Sequence, residues 1–101
     1  MRMFLISDNV DTQTGMRLAG VKGVVVHEPD EFETALSEAL SDKSNAIVLI
    51  TEKLFNLMKD YIMERKLKSP MPLIVKIPDR HGQTDSDAMM GYISEAMGIK
   101  F

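Results

Sequence analysis

The chain has 101 residues, a formal net charge of −3 and no cysteine. That length suits one domain, the acidic balance gives no field for holding nucleic acid, and the lack of cysteine excludes disulfides, thiol nucleophiles and thiolate metal sites. No apolar run approaches the roughly 20 residues that span a bilayer, and the opening Met1-Arg2-Met3-Phe4-Leu5-Ile6-Ser7-Asp8 is too short for a signal peptide, so no direct membrane insertion is expected.

Four apolar runs alternate with four stretches of helical pattern. The first strand is expected over 2–7. A helix follows from near Thr12 or Gln13, with Asp11 or Thr12 as its N-cap, and ends at Gly20, where a left-handed residue is easiest for glycine. Gly23 opens a short second strand over 24–27. The second helix has Pro29 before it, Asp30 as cap and Glu33 three residues on. Phe32, Ala35, Leu36, Ala39 and Leu40 give it one apolar stripe. The third strand covers 46–50. Thr51 caps a third helix with the stripe Leu54, Leu57, Met58, Tyr61 and Ile62, and with Lys66 and Lys68 near its negative end. Ser69-Pro70-Met71-Pro72 stops that helix. The fourth strand is 73–77. A polar loop, Asp79 to Asp85, then leads to a final helix over 86–97, and Gly98 precedes the tail Ile99-Lys100-Phe101.

The strand runs do not alternate in polarity, which marks strands buried on both faces of a parallel sheet. Right-handed crossovers then give helices on both faces. The expected architecture is α/β: a truncated doubly wound, Rossmann/flavodoxin-like sheet of four parallel strands in the order 2-1-3-4. Residues 1–101 are expected to form a single domain, with 86–101 a C-terminal helix and tail able to detach.

Folds of this plan place working loops at the carboxyl ends of their strands. Those loops carry Ser7-Asp8, His27-Glu28, Thr51-Glu52 and Pro78-Asp79-Arg80-His81. Asp8, Glu52 and Asp79 have the oxygen chemistry of a magnesium site, but acids equally solvate loops and begin helices, as Glu52 does in this reading. The first turn, Ser7 to Gly15, holds one glycine and two acids, which is wrong for cradling a pyrophosphate. His27 and His81 lack the company a zinc site needs and read as solvated loop residues. No serine sits in a recognisable nucleophile elbow. No catalytic constellation, metal site or cofactor is therefore expected.

The last helix is the exception. Met89, Met90, Ile93 and Met97, with Ile99 and Phe101 beyond, carry more apolar surface than one sheet face requires. They read either as ordinary core or as an adaptable docking surface, for which methionine is suited.

Three segments resemble one family. Ser7-Asp8-Asn9-Val10-Asp11-Thr12-Gln13-Thr14-Gly15-Met16-Arg17-Leu18-Ala19-Gly20 is similar to the G-D-x-D-T-x-x-G-F-R-L-A-G opening of the F subunit of archaeal/vacuolar-type rotary ATPases. Ile47-Val48-Leu49-Ile50-Thr51-Glu52 resembles its I-I-L-I-T-E, and Pro72-Leu73-Ile74-Val75-Lys76-Ile77-Pro78 its P-x-I-V-x-I-P. Ser7, Met16 and Lys76 depart from the usual glycine, phenylalanine and acid. The resemblance spans nearly the whole chain. It implies a non-catalytic central-stalk subunit that grips the coiled-coil D subunit and turns inside the catalytic A/B hexamer. It also implies a C-terminal helix that reaches toward that hexamer, coupling of ATP hydrolysis or synthesis to proton or sodium transport, and a cytoplasmic location peripheral to the membrane. The rival reading is a receiver-like signalling domain or another stand-alone interaction module; a receiver needs a phosphoacceptor aspartate after the third strand, where this chain has Thr51-Glu52.

Overall fold

The computed structural model describes residues 2–69 and 71–78. In chain order these form β1 (Met3–Ser7), α1 (Val10–Leu18), β2 (Lys22–Val25), α2 (Pro29–Ser41), β3 (Ile47–Thr51), α3 (Glu52–Leu57), α4 (Lys59–Lys68) and β4 (Leu73–Ile77). The strands make one sheet ordered β2-β1-β3-β4, and every pairing is parallel. This is the α/β architecture that the uninterrupted apolar runs imply. The final helix expected over 86–97 lies outside the described residues, with Met89, Met90, Ile93, Met97, Ile99 and Phe101; so do Asp79 and His81.

β3 is the spine, and all five of its residues are buried. Its register sets Leu49 beside Leu5 and Val75, and Ile50 beside Ile6 and Lys76. Because successive side chains point to opposite faces, the strands feed two cores. One holds Ile6, Val48, Ile50 and Ile74 against Phe32, Leu36 and Ala39 of α2, Leu54 and Phe55 of α3, and Ile62 of α4. The other holds Leu5, Ile47, Leu49 and Ile77 with Met16 of α1 and Val21.

Four local expectations need correction. α1 begins two to three residues early, because Asn9 is the cap: its Oδ1 accepts from the backbone N–H of Asp11 at 2.7 Å and of Thr12 at 3.1 Å. Asp11 then lies in the first turn, where its charge suits the helix dipole. In α2 the cap position is Glu28, not Asp30, since Pro29 takes the first helical place, where its missing N–H costs nothing. Glu31, rather than Glu33, reaches back, and its Oε1 accepts from the backbone N–H of His27 at 3.1 Å and of Glu28 at 3.0 Å. β2 starts at Lys22, two residues early.

The third helix is two helices. Met58 leaves helical geometry at φ −109°, ψ 26°. Phe55, off the expected stripe, is buried in the core, while Leu57, expected inside, is 64% exposed. Leu54, Phe55 and Ile62 join one core cluster, so both segments present apolar positions to the same sheet face.

Gly20 ends α1 as expected, at φ +91°. Its N–H donates to the Arg17 carbonyl and that of Val21 to the Met16 carbonyl, both at 2.9 Å, the paired bonds of a Schellman motif. Gly23 serves differently. It stands beside Leu5 in the β1–β2 register, and a Cβ there would lie 2.6 Å from the Leu5 carbonyl oxygen.

Two predictions test these readings. Gly23→Ala should destabilise the fold by about 1–3 kcal/mol through overpacking, and Gly20→Ala by about 1–2 kcal/mol through backbone strain alone. Urea midpoints check both; an unchanged midpoint for Gly23→Ala would contradict the close approach. The second concerns Glu31, whose carboxyl is held below the ordinary glutamate range by the His27 N–H, with the Glu28 N–H assisting. A depressed folded pKa means stability that is present above the unfolded value and lost as pH falls through the folded one. The gap in midpoint between wild type and Glu31→Gln should therefore be full at neutral pH and close in acid. A gap independent of pH would contradict it.

Candidate functional site

In a sheet ordered 2-1-3-4, the crevice where ligands ordinarily bind lies at the carboxyl ends of β1 and β3, where the direction of winding reverses. Here that place is occupied by the protein's own hydrogen bonds. Thr51 Oγ1, at the end of β3, donates to Asp8 Oδ1 at 2.8 Å and accepts from the Asp8 backbone N–H at 3.3 Å. Ser7 Oγ donates to the Asn9 carbonyl at 2.8 Å and accepts from the Asn9 N–H at 2.9 Å. Ser7 and Thr51 are fully buried. Local chemistry explains the arrangement. The Ser-Asp-Asn run has short polar side chains that bond nearby backbone, and the same Asn9 that folds onto Ser7 starts α1. Thr51 occupies the cap position of α3, yet makes no side-chain cap bond; its hydroxyl is turned to Asp8 instead.

The described candidate residues of the loops have local roles. Asp8 is tied to Thr51, Glu52 is an exposed acid in the first turn of α3, and Asp79 lies outside the described residues. Among the described residues no group of three or more histidines or acids is placed to hold a metal ion. His27 is exposed, and its backbone serves the reach-back bond to Glu31. A hollow of about 490 Å³ lies elsewhere, lined by Leu40, Asn45, Ala46 and Pro72 among others. Ala46 and Pro72 directly precede β3 and β4, so it opens at the amino ends of the strands, away from the crevice.

The surface is more distinctive than the crevice. Val10, Leu18, Leu57 and Leu67 all present large apolar side chains to solvent. Charge is segregated as well. α2 carries Asp30, Glu31, Glu33 and Glu38 with no base, whereas the last turn of α4 carries Arg65, Lys66 and Lys68. Sequence reasoning missed Met63 and Leu67 of α4. Their signal was present: they stand four residues apart and off the inward stripe, a second apolar ridge on the same helix.

The bonds between Asp8 and Thr51 give a direct test. Thr51→Val keeps the shape but leaves a carboxylate oxygen and an N–H without their partner. It should cost about 1–3 kcal/mol, measured as a lower thermal or urea midpoint. An unchanged midpoint would show the crevice is not locked by this pair.

Comparison with known proteins supplies what the crevice does not. The family described as ATP synthase (F/14-kDa) subunit matches residues 3–93. The chain is 34% identical over 93 residues to the F subunit of the A-type ATP synthase of Methanothermobacter thermautotrophicus, covering 89% of this chain and 87% of that one. It is 33% identical over 101 residues to the corresponding F subunit of Methanocaldococcus jannaschii, covering 98% and 97%. To that of Pyrococcus abyssi it is 31% identical over 111 residues, covering 99% and 97%. No solved structure gives a significant match. No described helix is long and apolar enough to cross a membrane. From its third residue to its ninety-third, this chain belongs to the family of ATP synthase (F/14-kDa) subunits.

Proposed function

We propose that the chain is a non-catalytic central-stalk subunit of an A-type ATP synthase, working by contact with its neighbours in that complex. In this reading it binds the coiled-coil D subunit and turns with it, so that ATP hydrolysis or synthesis in the A/B hexamer is coupled to proton or sodium transport. It works at the cytoplasmic side of the membrane, held there by the complex. The observation that carries the reading is the family match over residues 3–93, with relatives named as F subunits of A-type ATP synthases aligned along nearly their full length. The hydrogen-bonded crevice is in keeping with it: Asp8 and Thr51 satisfy each other where a ligand would otherwise enter. A small parallel sheet packed on both faces is a stiff body, and stiffness suits a part that transmits torque.

The partner contact is assigned to the C-terminal segment, with Met89, Met90, Ile93, Met97, Ile99 and Phe101 as its apolar anchors and the A/B hexamer within its reach. Unbranched, polarizable methionines suit a surface that must fit more than one neighbour. A stable contact of this kind buries about 800 Å² per partner.

Co-expression of the full chain with the coiled-coil D subunit, then purification and titration, tests the reading. The two should co-purify. Replacing Met90, Ile93 and Met97 together by alanine should weaken binding at least about tenfold, a loss of about 1.4 kcal/mol. Equal affinity in a folded variant would contradict the assignment to this segment, and failure of the wild-type chain to bind would contradict the stalk role itself.

A further inference from the structure

β2 is an edge of the sheet, on the far side from β4. It pairs with β1, with Gly23 beside Leu5 and Val25 beside Ser7. The Val26 N–H donates to the Ser7 carbonyl at 2.8 Å. By the alternation of a parallel ladder, Val24 and Lys22 also turn their main-chain groups to β1. Gly23 and Val25 therefore point their N–H and C=O groups away from the sheet. A hollow adjoins this edge on each face. On the α1 face, one of about 460 Å³ is lined by Gln13, Arg17, Lys22 and Gly23 among others, and the two charged residues lining it are both bases. On the α2 face, one of about 210 Å³ has Phe4, Val24, Ala35 and Ala39 as its apolar wall. Arg2 and Asp42, which also line it, pair with each other at 3.5 Å, and Glu38 makes its remaining charge negative.

We infer that the open edge of β2 is a strand-addition site for an extended segment of another subunit, one in which acidic and apolar residues alternate. Successive side chains of a strand point to opposite faces, so a strand laid along β2 sends alternate side chains into the two hollows while its main chain bonds Gly23 and Val25. The basic hollow takes the acids, and the apolar wall, with Glu38 beside it, takes the apolar residues. A helix fits less well, because it lies on one face and cannot fill hollows on both. A lysine on an edge strand opposes pairing with a strand that carries bases; Lys22 thereby selects for acids. A second copy of β2 also fits poorly: its sequence, Lys22-Gly23-Val24-Val25, has no acid to meet Arg17 and Lys22. The inference rests on the proposed assembly only for the source of the strand.

Amide hydrogen exchange of the full chain at single-residue resolution tests this, first with a synthetic peptide alternating Glu and Val as the probe. Saturating peptide should slow exchange at Gly23 and Val25 about tenfold and leave Lys22 and Val24, already bonded to β1, unchanged. A peptide alternating Lys and Val should bind at least about tenfold more weakly, and so should the Glu peptide to Arg17→Glu with Lys22→Glu. Both positions are exposed, and Arg17→Gln alone, with a smaller loss in the same direction, serves if the double variant fails to fold. Methylating the main-chain nitrogens of the Glu peptide should abolish binding, since a strand needs its N–H groups. No binding, slowing without the alternation, or equal binding of the two peptides would overturn the inference. The same two amides should slow in the purified synthase complex. A chain that enters the complex with Gly23 and Val25 exchanging as fast as before would overturn another subunit as the source of the strand. A chain that binds the Glu peptide as expected but does not enter the complex would uphold the site while contradicting the proposed stalk role.

Discussion

Burial of β3 on both faces is the constraint on which the rest of the structure depends. Ile47, Val48, Leu49, Ile50 and Thr51 are all removed from solvent, and five consecutive buried residues cannot belong to a strand with one wet face. Helices must therefore cover both sides of the sheet, whose strands run parallel in the order β2-β1-β3-β4. Thr51 shows how tight the constraint is. A polar side chain at the end of such a strand needs a partner, and the adjacent strand supplies Asp8.

That pairing has a functional consequence. In many sheets of this plan the gap between the two central strand ends admits a ligand. Here the gap is filled by four neighbouring residues, Ser7, Asp8, Asn9 and Thr51, bonded among themselves. The chemistry of the molecule is displaced to its outside. Acids collect along α2, cations along the end of α4, and apolar side chains stand exposed on α1, α3 and α4. Among the described residues the strand-end crevice is closed by internal hydrogen bonds, while charge and apolar side chains are sorted over the surface.

The architecture was legible because its signal is redundant. Four apolar runs, each between polar turns, specify the parallel sheet, and the order follows from handed crossovers. Gly20 was legible for a similar reason: few residues but glycine sit at φ +91°. Helix starts were not, because Asn9, Asp11 and Thr12 are all competent caps, as are Glu28 and Asp30 in position, and only the folded backbone selects among them. The break at Met58 was hidden because Leu54, Leu57, Met58, Tyr61 and Ile62 fit one uninterrupted stripe. Phe55, off that stripe, is buried, and Leu57, on it, is exposed. The lock between Asp8 and Thr51 joins residues 43 positions apart, a distance at which no local pattern speaks. The meeting of Lys66 and Lys76 over Phe55 likewise joins separate elements.

The central claim is that this chain acts by joining other subunits rather than by transforming a substrate. The most direct measurement is ATP-driven ion pumping by a synthase complex assembled without the chain, before and after the purified chain is added back. The account predicts that the chain alone turns over no ATP, that it enters the complex, and that pumping per ATP hydrolysed rises on its addition. Pumping and hydrolysis identical with and without the bound chain would contradict it.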